Sequence, residues 1–196
     1  MDIISLSIYT NAILTGVATS FVASIIFTVI FTSLRPKLEI SNLVAIRLRN
    51  NTTSYKIKVI NKSRYAATNL KAELSYINLF SVPNGLETNS KKVELNKSEI
   101  FLLDKFNLKS ENASYTYMFV TSENIKNGLE ADKKNYLILR IYATHSLSNM
   151  GKVFEKRYFI GDFANGDFCF GNSTEISLND LPTDLIKKAH ITHLRR

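Results

Sequence analysis

Four basic residues in one short stretch are the first candidates for chemistry. Arg47, Arg49, Lys56 and Lys58 stand at alternate positions in two runs, Leu43 to Arg49 and Tyr55 to Ile60. Between the runs lies the turn-like tetrad Asn50-Asn51-Thr52-Thr53, so the stretch predicts a β-hairpin. With the turn centred between Asn51 and Thr52, Arg47 faces Lys56 and Ala45 faces Lys58. Val44, Ile46 and Leu48 then share an apolar face with Tyr55, Ile57 and Val59. The other face collects four cations, and like charges across a strand pair repel. Compensation has two sources: an acid from within the chain, such as Glu73 or another acidic strand, or an external anion. The four residues are therefore candidate ligand-binding residues for a nucleotide or an acidic lipid head group.

Other reactive side chains are sparse. The histidines are His145, His190 and His193. His190 and His193 stand three apart near the C-terminus without a third ligand in reach, which argues against a metal site. Cys169 lies in an aromatic run and reads as a packing residue. Neither a glycine-rich phosphate loop nor a nucleophile elbow is found. The sequence predicts a non-enzyme with no metal and no cofactor.

The formal charge of the 196-residue chain is +8, and Asp2 is the only charge before Arg35. The part from Arg35 onward thus carries +9, a surplus suited to small anions or acidic lipid, with no double-stranded nucleic acid expected. One cysteine forms no intramolecular disulfide, which fits a reducing compartment.

These residues are positioned by two very different segments. Ser7 to Ser33 holds no charged residue, and Arg35-Pro36-Lys37 ends the run. Such a run crosses about 30 Å of hydrocarbon as a helix, predicted over residues 7–34. The N-terminus lacks the basic residues of a signal peptide. Arg35 and Lys37 on the C-terminal flank predict a single-pass inner-membrane protein with its N-terminus outside and its soluble domain in the cytoplasm. Gly16, Ser20, Ser24, Thr28 and Thr32 recur every four residues beside a second row, Asn11, Thr15, Thr19 and Ala23. Small residues at this spacing let helices approach closely, so the row predicts a homo-oligomer. Its hydroxyls either line a pore or bond the carbonyls one turn earlier.

From residue 38 to 178 the pattern changes to about nine short strands: Leu43–Arg49, Tyr55–Ile60, Leu70–Ile77, Lys92–Leu95, Ile100–Leu103, Tyr115–Thr121, Tyr136–Ala143, Val153–Ile160 and Asp167–Phe170. One helical pattern, Ser122–Leu129, interrupts them. This predicts an all-β domain, an immunoglobulin-like β-sandwich. Residues 179–196 predict a short basic helix carrying Lys187, Lys188, Arg195 and Arg196, suited to its own dipole or to a membrane surface.

Two stretches carry a family resemblance. The run from Tyr136 to Gly171, with Tyr158, Gly166, Phe168 and Phe170, resembles the end of the cytoplasmic domain of inward-rectifier potassium channels. The run from Tyr55 to Ile77, with Asn61 and Arg64 at its corner, is similar to the opening of that domain. The resemblance spans about Ile40 to Gly171. It implies a cytoplasmic sandwich that assembles, as a tetramer, and couples ligand or lipid binding to a membrane segment. The chain has one membrane helix and no carbonyl filter, so it is not by itself a selective channel. The expectation is an oligomeric sensor or effector, such as a bacterial antiviral effector switched by a nucleotide second messenger. The other reading is a non-catalytic anchor or accessory subunit that binds a protein partner.

Overall fold

The computed structural model describes residues 3–49, 52–131 and 134–178. It contains two compact units, Met1–Arg35 and Pro36–Arg196.

The first unit is one helix, α1 (Ile3–Ser33), which starts four residues before the predicted boundary. At 1.5 Å per residue its 31 residues extend about 46 Å. Asn11–Ser33 is long and apolar enough to cross a membrane. The helix stops shortly before Pro36, which disfavours helical geometry in the residue ahead of it.

The second unit is mostly β-strand, because apolar and polar residues alternate along its main strands. Its elements are β1 (Leu38–Ile40), β2 (Val44–Arg49), β3 (Thr52–Asn61), β4 (Ala67–Val82), β5 (Gly85–Val93), β6 (Glu99–Leu103) and β7 (Thr116–Thr121). There follow the short helix α2 (Ile125–Ala131), β8 (Tyr136–His145), β9 (Gly151–Tyr158), β10 (Phe163–Asn165), β11 (Asp167–Phe168) and β12 (Ile176–Ser177). In one five-stranded sheet β3 is central, with β7 on one side and β2 and β1 in succession on the other; β10 adds in parallel to β2. In the other, the long β4 plays the same part, with β8 and then β9 on one side and β6 and β5 on the other.

Both sheets turn residues into one core. Tyr55, Ile57 and Val59 come from β3, Leu70 and Leu74 from β4, and Leu137, Leu139 and Ile141 from β8. Helix α2 adds Ile125 and Leu129 to the same cluster, and its Gly128 carbonyl accepts the Tyr76 hydroxyl. It occupies part of the predicted helical stretch.

Three departures from expectation have physical reasons. The first hairpin pairs Arg49 with Thr52, Arg47 with Ser54 and Ala45 with Lys56, two residues away from the predicted register. Asn50 and Asn51, between these strands in sequence, lie outside the described residues. A shift of two keeps each side chain on its predicted face, but Arg47 no longer stands opposite Lys56. Strand β5 runs from Gly85, seven residues ahead of the predicted start at Lys92, and is exposed throughout except at Val93. With no buried face it has no apolar alternation to read. Strands β1, β10 and β12, of two or three residues, are too short for a period to register. The predicted C-terminal helix, with His190 and His193, lies outside the described residues.

A buried histidine closes the β8–β9 turn. His145 is 2% exposed, and its Nδ1 accepts the amides of Leu147 and Ser148 at 3.3 and 3.4 Å. Burial lowers its pKa below the ordinary 6.5. Below that value the unfolded chain therefore takes up a proton that the folded chain resists. Its contribution to stability is complete above about pH 6.5 and declines as pH falls, by at most about 1.4 kcal/mol per pH unit. Thermal melts of the full chain between pH 7.5 and 5.5 should show this slope, and His145→Gln should flatten it; equal slopes would remove His145 as the cause.

Candidate functional site

The basic face of the first hairpin is not open. Past β10, the chain leaves the edge of its sheet at Gly166 and crosses the outer side of β2 and β3. Gly166 has φ +129°, and a Cβ there would come within 2.4 Å of the Ser177 carbonyl oxygen, so only glycine suits this bend. The next residue, Asp167, supplies the counter-charge. Its Oδ2 accepts Arg47 Nη1 at 2.5 Å and Lys56 Nζ at 2.6 Å, and its Oδ1 accepts the Phe168 amide at 3.0 Å. Burial opposes ionisation of this carboxyl, but the hydrogen bond and charge of Lys56, the Phe168 amide and the Arg47 charge outweigh it. The net effect holds Asp167 below the usual carboxylate range.

Lys58 is fully buried. Its ammonium donates to the carbonyl oxygens of Cys169 at 2.6 Å and Ser173 at 2.8 Å. Burial is the main influence on its pKa and pushes it down. Two carbonyl dipoles from the crossing segment thus replace the water that this cation gave up. Arg49 stays exposed at the hairpin end. Of the four candidate residues, two meet an internal acid and one is enclosed. The acid is Asp167, more than a hundred residues away in sequence, rather than Glu73, which is the register partner of Arg140. Cys169 is partly buried on the segment that covers Lys58.

On α1 the predicted row is present, with hydroxyls turned inward along the helix. Ser24, Thr28 and Thr32 donate to the carbonyls of Ser20, Ser24 and Thr28, each at 2.8 Å. In the second row Thr15 and Thr19 do the same to Asn11 and Thr15. Each of these hydroxyl protons is satisfied within its own helix and needs no aqueous lumen. A Cβ built at Gly16 meets no atom within 4 Å, so that position is open in the single chain.

A different site was not anticipated. At the corner after β3, Asn61 is fully buried and its Nδ2 donates to the carbonyls of Tyr65 at 2.9 Å, Leu103 at 3.3 Å and Asp104 at 2.8 Å. Its Oδ1 accepts the Ser63 amide at 2.9 Å. One side chain thereby ties the 62–66 corner to the segment that follows β6. Between them lies a hollow of about 450 Å³. Arg64, Tyr65, Asp104, Lys105, Ser110 and Ser114 are among its lining residues. Asn61 and Arg64 were noticed in the sequence as a corner; Lys105 and the two serines lie some forty to fifty positions on, and no local pattern links them. Among the described residues no group of three His, Cys, Asp or Glu side chains could hold a metal.

No family model matches the chain, and no curated protein matches it. Among solved structures it is similar to Spo0M, a sporulation control protein from Bacillus subtilis, with a TM-score of 0.37 and 9% identity over 64% of this chain. The match spans 49% of Spo0M, about half its length. It is also similar to the Northeast Structural Genomics Consortium target SoR45, with a TM-score of 0.28 and 9% identity over 63% of this chain and 86% of that one.

Proposed function

We propose that this chain is a single-pass membrane protein whose β domain, an immunoglobulin-like sandwich, faces the cytoplasm. It acts without catalysis, as an oligomeric sensor or effector that binds an anionic ligand and changes the packing of its membrane helices. The observation that carries this reading is the abrupt junction in the chain. An apolar helix with no charge from Asn11 to Ser33 gives way, through Arg35 and Lys37, to a β domain with a strong basic surplus. Basic flanks are retained on the cytoplasmic side. The small-residue row supports self-association through close approach of helix backbones.

The second reading, an anchor that holds a protein partner, draws on Tyr142 and Val153. They are register partners on neighbouring strands and are 42% and 60% exposed.

Topology and mass test the proposal together. A reporter fused after Arg196 should behave as cytoplasmic. Wild-type protein in mild detergent should run as several 22.2 kDa chains, about four. Gly16→Ile with Ser20→Leu should lower that mass while insertion persists, because a Cβ at position 16 meets nothing in the single chain and bulk on this row obstructs a neighbouring helix. A monomeric wild type would leave the simple anchor standing.

A further inference from the structure

We propose that the hollow between the 62–66 corner and the segment after β6 binds a phosphate-bearing ligand that also carries hydroxyl groups. This rests on the reading of an anion-responsive domain and relocates the anion from the hairpin face. On the hairpin Asp167 already engages Arg47 and Lys56 and the crossing segment encloses Lys58, whereas Arg64 and Lys105 at the hollow are exposed to solvent. They present a planar fork and a flexible ammonium, the two side-chain cations best suited to phosphate oxygens. Ser110 and Ser114, whose hydroxyl oxygens lie 3.4 Å apart, add neutral donors to the same cavity. Asp104 also lines it, and a carboxylate there repels bare phosphate but accepts hydroxyl protons. The combination selects a sugar or polyol phosphate over an inorganic ion.

Size and shape agree. About 450 Å³ lies within the range of small-molecule sites and admits a mononucleotide or a lipid head group. Tyr65 is 43% exposed, with its ring held against the buried His145 at 5.0 Å between centroids. That leaves part of a fixed aromatic surface at the rim on which a base could stack. Preorganisation comes from Asn61, whose buried amide joins both walls. The corner also meets the start of the domain directly: Lys37 N donates to Ser63 Oγ at 2.8 Å, and Lys62 N donates to the Lys37 carbonyl at 2.7 Å. Lys37 follows the helix by four residues.

The test uses the full chain. In zwitterionic detergent it is titrated with adenosine monophosphate and with inorganic phosphate while thermal melting is followed. In parallel it is melted in nanodiscs of phosphatidylcholine, with or without phosphatidylglycerol. A saturable rise in Tm with adenosine monophosphate, at lower concentration than with inorganic phosphate, identifies a free nucleotide as the source. A rise confined to phosphatidylglycerol discs identifies the lipid head group. In either case Arg64→Gln with Lys105→Gln should abolish the shift or weaken the apparent affinity at least tenfold, and Arg49→Gln should leave it unchanged. Tyr65→Ala should weaken adenosine monophosphate more than inorganic phosphate. Absence of a shift with all three probes, or a shift indifferent to the Arg64 and Lys105 changes, overturns the site. Loss in Arg49→Gln instead would keep the anion response and return it to the hairpin; the topology and mass tests fail or succeed independently of these melts.

Discussion

Asp167→Ala should destabilise the β domain by about 3 kcal/mol, measured as a shift of the denaturant midpoint of the detergent-solubilised chain. One carboxylate oxygen carries both Arg47 and Lys56, and the Asp167 and Lys56 side chains are only 13% and 14% exposed. Removal takes away the carboxylate that the two cations share, and Lys56 has little access to water. Breaking such a pair from one side costs about 3–5 kcal/mol when burial is complete; Arg47, 31% exposed, can turn toward solvent, which places the expectation at the low end. The segment carrying Asp167 also supplies the two carbonyls that hold Lys58, so its loosening should expose Cys169. Thiol labelling of Cys169 should therefore be faster in Asp167→Ala than in wild type. Arg47→Gln should cost under about 1 kcal/mol, since it removes the more exposed cation and leaves Lys56 paired. Adding Lys56→Met to Asp167→Ala should recover most of the loss. The pH dependence has a definite sign. The folded carboxyl ionises below its ordinary value of 3.8, so its contribution is present above that value and is lost as pH falls through the depressed one. A midpoint within about 0.5 kcal/mol of wild type, with unchanged labelling, would mean that Asp167 is incidental.

The history of that one residue explains which parts of the molecule were legible in the sequence. The membrane helix was plain because its signal is a long uncharged run, a property of consecutive residues. The main strands were plain because β3, β4 and β8 place core residues at alternate positions, as in Tyr55, Ile57 and Val59, Ala72 and Leu74, and Leu137, Leu139 and Ile141. Alternation also assigned Lys56 and Lys58 to the side away from the core, and there its information ended. A period of two says which face a residue occupies but not whether a later segment covers that face. Residues 167–173 do cover it, held by side-chain and carbonyl contacts across more than a hundred positions, and turned an expected binding face into a second interior. The ribbon of Asn78–Val82 with Gly85–Asn89 was missed for the opposite reason. It extends beyond the last register pair of β4 with β8, Ile77 with Tyr136, and buries too little to impose a pattern. The hollow beside Asn61 drew only three of its eight lining residues, Arg64, Tyr65 and Ala66, from the corner after β3. A cavity assembled by one buried amide from two distant loops has no period at all.

Tyr158 makes the second large prediction. It is fully buried at the end of β9, and its hydroxyl donates to the Ser41 carbonyl at 2.8 Å, 117 residues away, in the link between β1 and β2. Ser41 in turn accepts the Lys58 amide at its Oγ and donates to the Leu43 carbonyl. A single phenol thus joins an edge of one sheet to the link between two strands of the other, with its ring in the shared core. Tyr158→Phe keeps the ring and strands a buried carbonyl, so it should cost about 1–2 kcal/mol. Tyr158→Ala also empties the space of a ring and should cost about 3–5 kcal/mol. Domains of this size are stable by about 5–15 kcal/mol in total, so the alanine variant should melt far below wild type or fail to accumulate folded. The phenylalanine variant keeps the test informative if it does. Burial, with a smaller push from the Asp162 charge and partial relief from the Ser41 bond, drives the phenol's pKa far above its ordinary 10. The unfolded chain therefore releases this proton first, and the stabilisation is complete below pH 10 and declines above it. Wild type should lose stability more steeply than Tyr158→Phe between pH 10 and 11. Parallel curves, together with a cost for Tyr158→Phe below about 0.3 kcal/mol, would mean that the two sheets are held by apolar packing alone.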